Sequence, residues 1–155
     1  MLSEPQLQRY SRQLLLPEIG GAGQERLLAA RVEVEGEGVA AETLRAYLAA
    51  AGVETGVGGQ RVGSTQGARW VLDDVGIAWA AEGGPCGDCL SATLAEVPRP
   101  PDWARAAVVQ ASGALAASQV LLWLAGSPPK SSGAYLAWPE AARRPVVPRS
   151  GCSCG

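Results

Sequence analysis

Gln8-Arg9-Tyr10-Ser11-Arg12-Gln13-Leu14-Leu15-Leu16-Pro17-Glu18-Ile19-Gly20, followed by Gly23-Gln24-Glu25-Arg26-Leu27-Leu28 and Ala30-Arg31-Val32, is the stretch on which the rest of the chain hangs. It reads as a short amphipathic helix, a Pro/Gly turn, a second helix and then the start of a strand. Leu7, Tyr10, Leu14 and Leu15 share one helical face, which leaves Arg9, Arg12 and Gln13 for solvent or a partner. Ser3 with Gln6 makes a capping box, and Pro5 suits a first helical turn.

Working outward, Arg31-Val32-Glu33-Val34-Glu35 predicts a strand, Gly36-Glu37-Gly38-Val39-Ala40-Ala41 a glycine turn, and about Glu42 to Ala51 a helix. Leu44, Tyr47, Leu48 and Ala51 form its apolar stripe. Strand, glycine turn and helix make the first half of a dinucleotide-binding unit, with Ala41 in place of the third glycine. Two details oppose a working phosphate loop. Glu35 and Glu37 bracket Gly36 and repel the triphosphate that a helix N-terminus attracts, and the only lysine in the chain is Lys130. The Val-Glu-Val-Glu alternation also puts one face of the strand against water or a polar partner, unlike a strand buried on both sides. A turn kept for its backbone geometry and a nucleotide site both remain open here.

Composition narrows the function. At 155 residues the chain is one domain, and its net charge of -2 supplies no basic field for nucleic acid. The best apolar run, Ala114 to Ala125, is broken by Ser118 and Gln119 and is too short to span a bilayer. Met1 to Pro5 lacks the features of a signal peptide, so a cytoplasmic protein with no membrane partner is expected. With no histidine, imidazole catalysis and histidine metal ligation are excluded.

Beyond Gly52, the link from Val53 to Gly67 is glycine-rich and polar, with at most one short strand around Val57 to Val62. Arg69 to Leu72, a turn at Asp73-Asp74 and Val75 to Ala80 predict a hairpin, with Val75, Ile77 and Trp79 on one face of its second strand. Val108 to Leu124 is a long apolar helix in which Ser112, Gly113 and the alanines permit close packing, and Ser127-Pro128-Pro129 ends it. Ala134 to Trp138 and Pro145 to Val147 are the last strands. Trp103, Trp123 and Trp138 are most simply core or interface aromatics.

The opening run resembles the N-terminus of the ThiF/MoeB/HesA family, the bacterial relatives of the ubiquitin-activating enzymes. Arg9, Tyr10 and Arg12-Gln13 stand at the family's spacing, ahead of Leu16-Pro17-Glu18-Ile19-Gly20 and Gly23-Gln24-Glu25-Arg26-Leu27. The resemblance resumes at Ala68 and takes in Gly84-Pro85-Cys86-Gly87-Asp88-Cys89-Leu90, which is similar to the family's Gly-Pro-Cys-x-x-Cys-Leu. It implies an α/β, truncated Rossmann-like (ThiF-type) domain over 1–155: an N-terminal helical arm (1–30), a strand–turn–helix remnant (31–52), a short link (53–67) and a C-terminal part (68–155) with an antiparallel hairpin and a four-cysteine zinc site. By the same resemblance, Gly36, Gly38 and Ala41 would approach ATP. The family's ribose-binding acid, Asn-Leu-x-x-Gln segment, lysine and magnesium-ordering aspartate have no counterpart in the link, where Glu54 is an isolated stand-in. That argues against ATP and magnesium and implies a shortened, degenerate member.

In the family, two cysteine pairs at these points hold a structural zinc, which would make Cys86, Cys89, Cys152 and Cys154 the ligands. The last pair, Cys152-Ser153-Cys154, is one residue tighter than the family's Cys-x-x-Cys and therefore stiffer as a chelator. A disulfide, a redox Cys-x-x-Cys and loose thiols stand as the other readings of these four residues. If all four bind metal, no thiol is left to form a thioester or persulfide. Arg12 corresponds to the family arginine that reaches across the dimer to the phosphates of the other subunit, a role a rigid helix can support without a pocket of its own. An interfacial salt bridge is the alternative.

Three functions follow from these readings. The first is a non-catalytic subunit or scaffold, homodimeric or paired with an intact relative, in activating a ubiquitin-like or sulfur-carrier protein. The second is an ATP-dependent adenylyltransferase acting on the C-terminus of such a carrier. The third is a zinc-stapled interaction module for an unrelated partner. Whether the chain is an enzyme stays open at this point.

Overall fold

The computed structural model describes residues 1–34, 37–56, 60–62, 68–81, 83–127, 134–139 and 144–154. The opening helix α1 (Glu4–Leu14) starts at Ser3, whose backbone N–H donates to Gln6 Oε1 at 2.8 Å, as the capping pattern predicts. α2 (Gly20–Ala29) follows and leads into β1 (Arg31–Val34). α3 (Val39–Ala50) crosses back to β2 (Glu54–Thr55), which pairs parallel with β1. β3 (Gln60–Val62) pairs parallel on the other side of β1, giving the order β2-β1-β3.

The second sheet has the order β4-β5-β6-β7 and is antiparallel throughout, from β4 (Ala68–Asp73), β5 (Gly76–Ala81), β6 (Ala134–Ala137) and β7 (Arg144–Pro145). α4 (Gly87–Ala95) and α5 (Asp102–Leu124) lie between β5 and β6 in the chain. Among the described residues this is a mixed α/β fold of five helices and two sheets.

β5 is covered on both faces. Ile77 and Trp79 point into a core shared with Leu27, Leu44, Leu48, Ala116 and Val120, which come from α2, α3 and α5. Ala78 and Ala80 point the other way, toward Leu90 and Leu94 of α4 and Val146 beyond β7. Burying a side chain of the size of Leu or Ile contributes about 1.5–3 kcal/mol, so the first cluster dominates. The small residues of α5 let α3 come close. A Cβ added at Gly113 would run into the Ala40 carbonyl oxygen and stand 2.7 Å from Thr43 Cβ.

Several expectations shift. The link holds two short strands rather than at most one, because β1 recruits a partner along each edge; Val57 to Gly59 lie outside the described residues. The hairpin pairs Asp73 with Gly76, so its turn is Asp74-Val75, one residue later than expected. Val75 therefore leaves the strand alternation and packs with Ala78 and Leu90 instead of with Ile77 and Trp79. Trp103 is 84% exposed in the first turn of α5 and is no core residue. On α1, Tyr10 is buried and Leu14 half-buried, but Leu15 caps the helix and is 82% exposed.

α5 runs for 23 residues and is, by length and composition, apolar enough to cross a membrane, longer than the apolar run the sequence offered. In this fold it is a core helix, with Val108, Ser112, Gly113, Ala116 and Val120 buried.

Candidate metal centre and the glycine turn

Cys86 is the N-cap of α4, and Cys89 sits buried in its first turn. The three-residue spacing from the N-cap into the first turn sets both thiols at one end of the helix. The tail past β7 returns to that end and brings Cys152 and Cys154, both half-buried. All four Sγ atoms lie within 4.8 Å of one another. Cys86 Sγ is 3.5 Å from Cys152 Sγ, Cys89 Sγ is 3.6 Å from Cys154 Sγ, and the tail pair is 3.2 Å apart.

None of these separations is the roughly 2.05 Å of a disulfide bond, and all four cysteines are free thiols. A tetrahedral ion with metal–sulfur bonds of about 2.3 Å has sulfur–sulfur edges of about 3.8 Å, close to the spacings found here. The residues fit a single four-coordinate metal ion, and the tight Cys152-Ser153-Cys154 turn does place both of its sulfurs on the cluster. Such a set fills every position of a tetrahedral ion, which makes it a staple rather than a reaction centre.

The electrostatics are uneven. Cys86 is lowered to about 7, first by the Cys89 backbone N–H and then by hydrogen bonds from the Cys152 and Cys154 thiols. For Cys89 the largest influence, the Arg149 N–H at 3.4 Å, lowers the pKa, but burial and the neighbouring Cys152 and Cys86 thiols outweigh it and the group is raised. Cys152 is also raised: the Cys154 N–H lowers it, and the Cys154 and Cys86 thiols more than offset that. Arg149 is the contributor that sequence reading misses, because a backbone donor leaves no mark in the residue type.

The other candidate residues lie elsewhere. Gly36 and Glu35 are outside the described residues. Gly38 is the N-cap of α3 at φ 94°, a conformation that favours glycine, and a Cβ there would meet nothing within 4 Å. Ala41 is 4% exposed and packs into the core side of α3. Val32 is buried while Glu33 is half-buried, so one face of β1 is only partly covered, as the alternation predicts. Arg45 on α3 donates from Nη2 to the Val34 carbonyl at 2.9 Å, across the end of β1. Glu54, the isolated stand-in for a ribose acid, opens β2 opposite Arg31 and is ion-paired with it. Arg12 is exposed in the last turn of α1.

No protein-family model matches the chain. Over 52 residues it is 58% identical to "Adenylyltransferase and sulfurtransferase MOCS3" of Bos taurus, covering 34% of this chain and 11% of that protein. It is 50% identical over 52 residues to "Protein HesA, heterocyst" of Trichormus variabilis, covering 34% of this chain and 20% of that protein. Over this segment the chain is similar to ThiF/MoeB/HesA proteins. A third member of the ThiF/MoeB/HesA group, the "Sulfur carrier protein adenylyltransferase" of Thermus thermophilus, is 47% identical over 51 residues, 33% of this chain and 19% of that protein. The ThiF/MoeB/HesA likeness thus takes in about a third of the chain and no more than a fifth of these relatives.

Proposed function

We propose that the chain is a non-catalytic ThiF/MoeB/HesA-type subunit that pairs with itself or with an intact relative during activation of a ubiquitin-like or sulfur-carrier protein in the cytoplasm. The observation that carries this reading is the state of the remnant strand–turn–helix. Its one candidate acid, Glu54, is engaged by Arg31, and Glu37 stands exposed beside the Gly38 turn, where it repels phosphate. The relatives named as adenylyltransferases supply the carrier-protein context. In this reading the four cysteines hold a structural zinc, which fastens the tail to α4 and leaves no thiol for a covalent intermediate. Arg12, presented by the capped helix α1, is the group offered to a partner subunit's phosphates. The domain then keeps the Rossmann-like start and the stapled end of the family's architecture.

A second reading, an ATP-dependent adenylyltransferase, is favoured by one feature: the α3 N-terminus at Gly38 opens on free space beside a parallel β1–α3–β2 unit. Calorimetric titration with ATP and magnesium, together with ATP–pyrophosphate exchange, separates the two. The subunit reading expects no heat and no exchange from the chain alone. It also expects an intact relative to be recovered on the immobilised chain and lost with Arg12→Ala. Heat and exchange from the chain by itself overturn it.

A further inference from the structure

The same four thiols carry a second chemistry that does not depend on the proposed partner. Each α4 cysteine faces one tail cysteine: Cys86 faces Cys152 at 3.5 Å and Cys89 faces Cys154 at 3.6 Å. Closing either gap to the bond length of about 2.05 Å takes a movement of roughly 1.5 Å, within reach of a side-chain rotation. Closing both facing pairs would keep the tail joined to α4 at two points. Pairing within Cys86-Gly87-Asp88-Cys89 and within Cys152-Ser153-Cys154 would instead unfasten the tail from the helix. The facing pairs also join residues 66 and 65 positions apart, the long loops for which a cross-link restricts the unfolded chain most.

We propose that the tail is held in two interchangeable ways: by one metal ion on four thiolates, and, after exposure to a peroxide, by disulfides Cys86–Cys152 and Cys89–Cys154. Cys86, Cys152 and Cys154 are half-buried and reachable, whereas Cys89 is buried, which orders the steps. The Cys86 thiolate at the α4 N-cap attacks a peroxide oxygen, giving a sulfenic acid and hydroxide. The Cys152 thiolate then attacks Cys86 Sγ and expels a second hydroxide as the S–S bond forms. Cys154 and Cys89 repeat the sequence, with the buried thiolate resolving. Four sulfurs lose four electrons, two peroxides become four hydroxides, and the metal leaves as the aqueous cation. Val146, just past β7, belongs to the same apolar cluster as Ala78, Ala80 and Leu90.

The test uses the full chain, with zinc quantified first. Hydrogen peroxide is added in stoichiometric steps, remaining thiols are blocked, and the protein is digested without reductant and mapped by mass spectrometry. The expected result is metal release in step with oxidant, an intact mass lower by four hydrogens, and linked peptides joining Cys86 to Cys152 and Cys89 to Cys154. Dithiothreitol with added zinc then restores the starting state. Bonds joining Cys86 to Cys89, Cys152 to Cys154 or Cys86 to Cys154, or oxygen adducts in place of cross-links, overturn the proposal. The zinc measurement reads the metal-bound form separately: a chain without metal overturns the interchange whatever the map shows.

Discussion

Gly113 of α5 stands so close to Thr43 of α3 that an added Cβ would be 2.7 Å from the threonine's own Cβ. On the same side it would collide with the Ala40 carbonyl oxygen. Backbone cannot yield as a flexible side-chain tip can. Gly113→Ala is therefore expected to destabilise the fold by about 1–3 kcal/mol through overpacking, despite alanine's better helix propensity. Urea denaturation followed by circular dichroism measures it; a variant as stable as the parent would show that the two helices are not in this contact.

Gly38 presents the opposite case. It has open space around it but φ 94° and ψ 176°, so Gly38→Ala should cost about 1–3 kcal/mol from backbone conformation alone. An adjacent control, Val39→Ala at an exposed position, should move stability far less. Equal losses in the two variants would remove the conformational explanation.

Cys86 is expected to be the first thiol alkylated in metal-free protein. Its pKa near 7 means that its labelling rate rises through about pH 7, whereas Cys89 and Cys152, both raised, need more alkaline solution. The sign follows from the thiolate being the reactive form. A folded-state pKa below the ordinary 9.0 favours the folded chain above that value, and the contribution fades as pH falls through about 7. The raised pair works the other way at alkaline pH. Iodoacetamide labelling read by peptide mapping checks the order, and preferential labelling of Cys89 would contradict it.

A bound zinc should protect all four thiols together. Because the ligands must be deprotonated, acidification is expected to release the metal, with chelator-induced loss faster at low pH. Cys89→Ser, which removes the buried ligand, should lower metal content to a small fraction of the parent's and lower Tm by several degrees. Retention of one equivalent of zinc in that variant would place the ion elsewhere.

Arg12→Ala should leave stability within about 0.5 kcal/mol of the parent, since the side chain is exposed on the last turn of α1. Its expected effect is confined to capture of an intact relative. A large fall in Tm would instead assign Arg12 a role in this chain's own fold.

Much of this was readable from residue order. The Ser3/Gln6 cap and the small-residue face of α5 follow from local rules and appear as expected, whereas α3 starts at Val39, three residues earlier than expected, and α5 at Asp102, six residues earlier. The four cysteines were readable only as a set, since no single spacing says that a tail at residues 152 and 154 returns to a helix end at 86. The misses share a cause. β2 and β3 are two and three residues long and exist because β1 offers both edges, a tertiary effect without a periodic signal. The hairpin turn falls one residue later than Asp73-Asp74 because Asp73 pairs with Gly76 and stays in the strand, leaving Asp74-Val75 as the turn. Of the two readings of Trp103, core or interface, the core one fails, because the chain places it exposed on the first turn of α5, ahead of the buried stripe.

β5 is hydrogen-bonded to β4 on one side and β6 on the other, and its two faces feed different apolar clusters. It acts as a party wall between two rooms. Neither room can be emptied without breaching the other, so the chain should melt in one step, with the amides from Ile77 to Ala80 the last to exchange with deuterium.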